Sequence, residues 1–306
     1  MGRYDNLRHI ERLDPERDHQ EIVRITGMYE FPWDTTRALE FALYKTFCVP
    51  SISALLDQTG EFRQRAQKRY DDTALLIAEL TEWGYDSDRG HAALRQMNRI
   101  HHRFVIANDD YLYVLTTFIF EPIRWIDSFG WRRLSEHERL AQVHFWREVG
   151  RRMGIRDIPE TYAELEQYNI TYERERFRYG MTNQRVGEAT RDLFLSWFPA
   201  PLRPLLTPGI YAMLEEPVLD AFGFPHPPRW LRRLAAGSLR LRGRILRRFP
   251  PRRRPRIYTA GRHRTYPHGY EIAVLGPPDF VASGAATQRS GLNDGDPIAI
   301  ILTLPA

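Results

Sequence analysis

Cysteine is all but absent from this 306-residue chain: Cys48 stands alone. No intrachain disulfide can staple the fold, and no thiolate cluster can hold zinc. Cys48 lies in Tyr44-Lys-Thr-Phe-Cys-Val-Pro50, where a small buried side chain is the simpler reading and a nucleophile the rarer one. Lysine is nearly missing too. Only Lys45 and Lys68 accompany 42 arginines, a bias that GC-rich coding imposes, so arginine richness by itself says little about function. There is no Gly-rich phosphate loop, no His-Glu-x-x-His helix and no nucleophile elbow, which removes the commonest nucleotide-binding and hydrolase readings. The longest apolar-looking run, Tyr111 to Phe120, is about half of what a membrane span requires. The first ten residues carry no apolar core of a secretory signal. We therefore expect a cytoplasmic protein, or one peripheral to the inner membrane face.

What is present reads as helix. Apolar residues recur with helical period, and strand-like alternation is scarce before residue 270. The expected fold class is all-α, a single multi-helix domain with a basic C-terminal extension. Boundaries fall at 1–34 for a polar lead-in with one short helix over 18–29, 35–225 for the helical domain, 226–278 for an Arg-rich segment, and 279–306 for a flexible tail. Within the domain, Thr35 or Thr36 caps a helix that Pro50 ends, Ser135-Glu-His-Glu138 forms a capping box, and Gly154 is a stop. Acidic residues vanish between Ala221 and Tyr270, where there are 14 arginines, whereas the rest of the chain holds 30 basic and 39 acidic residues. The positive charge is therefore local. Trp230, Leu231, Leu234, Leu239, Leu241, Ile245 and Leu246 interleave with these arginines as an amphipathic helix. An anionic membrane surface held through 228–256 is the partner this implies; nucleic acid is the weaker one, since no recognised reading module accompanies the charge.

Two helices carry the chemistry. The first, Phe62 to Leu80, contains Arg69-x-x-Asp72-Thr73. The second starts at the Ser87/Asp88 cap and runs to Phe104. Its Leu94, Met97, His101 and Phe104 form one stripe, which turns His101 inward and leaves His102 on the polar side. A neutral imidazole in an apolar wall suits iron or zinc; from spacing alone the default is a core histidine satisfied by a carbonyl. His144 could line a pocket or serve as a second ligand, with a packed or surface histidine as the default. His263 and His268 read as surface. Glu121-Pro122-x-Arg124 is either a weak i,i+3 pair at a kink or part of a pocket.

The segments Lys68-Arg-Tyr-Asp-Asp-Thr73, Met97-Asn-Arg-Ile-His-His-Arg-Phe104 and Asn108-Asp-Asp-Tyr-Leu-Tyr-Val-Leu115 resemble the rubber-oxygenase catalytic domain. That family takes in the latex clearing proteins and the membrane-bound oxygenases that trim a prenyl side chain in mycophenolic acid biosynthesis. Glu121-Pro-Ile-Arg-Trp125 and Phe145-Trp-Arg-Glu-Val-Gly-Arg-Arg-Met-Gly-Ile155 extend the likeness, which covers roughly residues 35 to 200. The resemblance implies an all-α domain enclosing a pocket for haem b, with His101 as axial iron ligand and Arg69 and Thr73 facing the haem. Asp72 stands where latex clearing proteins have a lysine, so it joins Arg69 and Thr73 as a catalytic candidate while putting rubber cleavage itself in doubt. The implied function is a haem-dependent oxygenase using dioxygen on a small apolar, prenyl-like or unsaturated substrate. The rival is a non-catalytic helical protein that binds lipid or a membrane surface.

Overall fold

Caps and apolar spacing set most of the helices. In this computed structural model, which describes residues 2–278, Ser87 accepts the Gly90 N–H, and Ser135 and Thr161 form capping boxes with Glu138 and Glu164. The described residues hold α1 (Asp5–Ile10), α2 (His19–Ile25), a π-helical turn (Thr26–Glu30), α3 (Pro32–Thr46), α4 (Pro50–Thr59), α5 (Glu61–Gln64) and α6 (Ala66–Trp83). There follow α7 (Asp88–His101), α8 (Asn108–Phe129), α9 (Glu136–Arg152), α10 (Tyr162–Arg176), α11 (Met181–Ser196), α12 (Arg203–Met213), α13 (Glu216–Phe222) and α14 (Arg229–Arg248). The fold is all-α, and no strand occurs among the described residues. The expected tail, 279–306, lies outside them.

The centre is α8. Its Tyr113, Ile119 and Phe120 are fully buried, α3 runs along it, and α9, α10 and α14 lean on its other sides. A smaller cluster, built on Tyr44, Cys48, Leu219 and Phe222, joins α3 to α11 and α13. The lead-in is part of the main core, since Ile10 and Ile22 are fully buried in it.

Several boundaries differ from the sequence reading. Pro32 and Pro50 each stand at the first turn of a helix and open α3 and α4; there a proline loses no hydrogen bond. Thr36 is no cap, because its hydroxyl bonds back to the Pro32 carbonyl at 2.9 Å. The long pocket helix is broken at Arg65, which leaves helical geometry (φ −142°) and separates α5 from α6. α7 ends at His101, three residues early, so the histidine sits on its last turn.

The Arg-rich segment has two parts. α14 docks through Leu239, Leu246 and Gly243; a Cβ at Gly243 would stand 2.7 Å from the Phe129 carbonyl, so only glycine allows this approach. Beyond it, residues 249–278 form an irregular strap that the acids of α6 hold down. Asp71 accepts the Thr265 N–H, Asp72 the Tyr266 hydroxyl, Glu79 the Tyr270 hydroxyl, and Glu82 the Thr259 hydroxyl and N–H. His263, expected at the surface, is buried beneath this strap against the Tyr258 carbonyl at 3.0 Å. His268 is exposed, as expected.

Candidate functional site

The helical hairpin α6–α7 builds the site. Chain reversal at Gly84–Ser87 makes the two helices antiparallel neighbours, and equal lengths on either side place residue 69 opposite residue 101. Arg69 and Thr73 share a face of α6 because they are four residues apart. The Arg69 guanidinium (Nη1) donates to the Thr73 hydroxyl, and that hydroxyl donates to the Arg69 carbonyl at 2.9 Å. Thr73 thus fixes the arginine's rotamer.

Arg69 has no carboxylate within ion-pair distance among the described residues; its nearest ring is Phe62, 5.8 Å from the guanidinium carbon. Burial pulls its pKa below the usual arginine value, with Asp72 and Glu61 only partly opposing that from a distance. A desolvated cation without a counter-ion is costly, and a bound anion relieves that cost.

His101 faces this cation. Its Nδ1 is buried with no hydrogen-bond partner, and Tyr111 meets its ring edge-on at 5.6 Å. Burial, then the positive charge of Arg69, then His102, push its pKa down to about 4. A helix C-terminus ordinarily favours a protonated histidine; here desolvation wins, and the ring is neutral at physiological pH. An orphaned buried nitrogen costs about 1–3 kcal/mol, so the hairpin sets side by side two unsatisfied groups of complementary kind, a ring nitrogen and a cation. His102 is exposed.

Asp72 is turned elsewhere. Its carboxylate takes Lys68 Nζ at 2.7 Å and the Tyr266 hydroxyl at 2.5 Å, and burial raises its pKa against those bonds. It pins the strap. His144 stacks on His19 at 6.2 Å beside Tyr85, at the turn end of the hairpin; fifteen residues of helix put that end roughly 20 Å from Arg69. The structure therefore does not bring His144 to His101. Among the described residues no group of three or more His, Cys, Asp or Glu could hold a metal ion. Iron beside His101 would need most of its ligands from a macrocycle, and a neutral histidine with a nearby arginine fits such a group.

Two features escaped the sequence reading. Glu121, read as half of a weak pair with Arg124, is buried and takes Lys45 Nζ at 2.9 Å as well as Arg124 at 2.9 Å. Glu173 and Glu215 complete the cluster around Lys45 at 3.3 and 3.2 Å. The second feature is a partly open cavity of about 110 Å³ between α2, α3, α6, α8 and α9, bordered by Arg256 and Tyr258 of the strap. Its share of α6 is Tyr70, Ala74, Ile77, Ala78, Thr81 and Glu82, a face turned by roughly 100° or more from Arg69 and Thr73. Neither His101 nor Arg69 lines it. One signal was available: Tyr70, Ala74, Ile77 and Thr81 already mark a second inward face of the same helix.

Fold and site together define a class, an all-helical domain whose α6–α7 hairpin sets a neutral histidine opposite an unpaired arginine. Residues 36–248, more than half of the chain, match the family described as "ER-bound oxygenase mpaB/B'/Rubber oxygenase, catalytic domain". The chain belongs to this family. Among its relatives, "ER-bound oxygenase mpaB" of Penicillium roqueforti is 37% identical over 141 residues, 44% of this chain and 47% of the relative. "ER-bound oxygenase mpaB'" of Penicillium brevicompactum is 28% identical over 228 residues, 68% of this chain and 54% of the relative. The chain thus spans about half the length of the curated relatives it matches. No single helix among the described residues is long and apolar enough to cross a membrane.

Proposed function

We propose that this protein is a haem b-dependent oxygenase acting with dioxygen on an apolar, prenyl-like or unsaturated organic substrate. One observation carries the reading: a half-buried arginine without a counter-ion faces a half-buried neutral imidazole whose Nδ1 is buried without a hydrogen-bond partner. Haem b supplies both missing groups, an iron for the imidazole and carboxylates for the guanidinium, and when bound it supplies the activation of dioxygen. The family match supports an oxygenase.

Each residue then has a task. His101 would hold the iron and, staying neutral across the physiological range, would not lose it to a proton. Arg69 would neutralise an anionic group from its half-buried position, where such a contact is stronger than in water. Thr73 orients Arg69 and offers its own hydroxyl. Asp72 acts at one remove by holding the strap over α6. The test is hemin titration followed by oxygen uptake with an unsaturated isoprenoid. A Soret band with substrate-dependent uptake supports the reading, and a protein that takes up no hemin overturns it.

A second reading concerns where the protein works. Trp230, Leu234, Leu241 and Ile245 lie within one narrow face of α14 and are 65, 60, 55 and 49% exposed. Exposed Arg233, Arg240, Arg244 and Arg248 flank them. Only the opposite face meets the domain, where Arg242 pairs with Asp34 at 2.9 Å. This favours attachment of α14 to an anionic membrane surface. Co-sedimentation with phosphatidylserine vesicles that falls at high salt is the expected outcome; equal binding to neutral vesicles, or none, refutes it.

A further inference from the structure

We infer that the cavity between α3, α6 and α8 is a binding site for the chain of a long-chain alcohol, with the hydroxyl at Glu40. Its walls are apolar: Leu39 and Leu43 of α3, Ile77 of α6, Phe118 of α8 and Trp146 of α9. Two backbone irregularities hold it open. The π-helical turn contributes Gly27 and Met28, and π-turns interrupt helices most often at functional sites. Pro122, inside α8, removes a hydrogen bond to the Phe118 carbonyl, and both residues face the space.

The polar groups gather at one corner. Glu40 Oε1 takes both the Arg37 guanidinium at 2.6 Å and the Tyr70 hydroxyl at 2.5 Å, while Oε2 has no hydrogen bond from the described residues. A carboxylate oxygen with free acceptor capacity in the lining of an apolar cavity suits a donor, which an alcohol carries and an ionised fatty acid does not. Glu40 is also pushed up to about 7 by burial, as befits a carboxyl in an apolar wall whose partners do not fully compensate it. The Arg256 N–H donates to the Met28 carbonyl at 3.0 Å, which ties the strap across the cavity.

The site deepens the oxygenase reading, on which it rests only for naming its occupant a substrate; binding itself is independent of haem. The probes are octan-1-ol and its isomer 1-methoxyheptane, which has the same atoms but no O–H, added to the whole protein and followed by calorimetry. Octan-1-ol should bind about tenfold more tightly than the ether, and Glu40→Gln should narrow that gap. Gly27→Leu should abolish binding of both. A Cβ at Gly27 meets nothing within 4 Å, so the new side chain enters open space; Ala74→Leu is a second filling variant should Gly27→Leu fail to fold. His101→Ala should bind octan-1-ol like the wild type. Equal affinity for alcohol and ether, undiminished binding in both filling variants, or no binding at all overturns the assignment. Octan-1-ol binding lost only in His101→Ala would move the ligand to the histidine pocket, whereas loss of hemin alone leaves this cavity intact.

Discussion

Replacing His101 by glutamine in the haem-free protein should flatten its acid sensitivity. A histidine whose pKa falls on folding is held neutral by the native state, so it stabilises fully above its unfolded pKa and loses that contribution as pH drops through the folded value. With about 6.5 unfolded and about 4 folded, the difference is worth about 3 kcal/mol between pH 7 and pH 4. Glu40 works in the opposite sense across the same window, because its pKa is raised to about 7 by burial; the folded protein gains stability from it as pH falls. Only the comparison of variants separates the two. Urea denaturation at pH 7 and pH 4 is the assay. The wild type should lose about 3 kcal/mol more than His101→Gln over that interval. Equal losses in the two proteins would show that His101 is solvated, and the pocket argument would fall.

Arg69→Met removes a half-buried cation that has no counter-ion, so it should leave the stability of the haem-free protein unchanged or raise it by up to about 1 kcal/mol while weakening hemin binding. Loss of stability with unchanged hemin affinity would place Arg69 among ordinary structural residues. Lys45→Arg should cost about 1–3 kcal/mol of unfolding free energy, because a planar fork cannot replace an ammonium among three carboxylates in a packed interior. A melting temperature within a degree of wild type would refute that account.

The helices were legible where local chemistry decides them. The Ser87 cap, the Ser135 box and the stripe ending at His101 read directly, because their partners are within a few residues. The break at Arg65 did not, since Phe62 to Leu80 carries a continuous helical period that tertiary packing interrupts. The strap was invisible for a different reason. Asp71 and Thr265, or Asp72 and Tyr266, are 194 residues apart, and no local pattern links them; the same strap buries His263. The lysines were misjudged as mere residue bias. In an arginine-saturated chain, Lys45 meets three carboxylates and Lys68 meets Asp72, the Tyr266 hydroxyl and the Gly276 carbonyl. A compact ammonium with three donors fits both places, and its rarity was the clue. Spacing put Arg69 and Thr73 on one face of their helix and turned His101 inward; that Arg69 lacks a counter-ion and the His101 Nδ1 a partner is a tertiary fact.

Hemin titration of His101→Ala beside His102→Ala tests the central claim most directly. The two residues are adjacent in sequence, yet only His101 is turned inward with a buried, unpartnered nitrogen. The account predicts a Soret band of wild-type intensity for His102→Ala and its loss for His101→Ala, with both proteins keeping their helical circular dichroism. Equal hemin uptake by the two folded variants would contradict it.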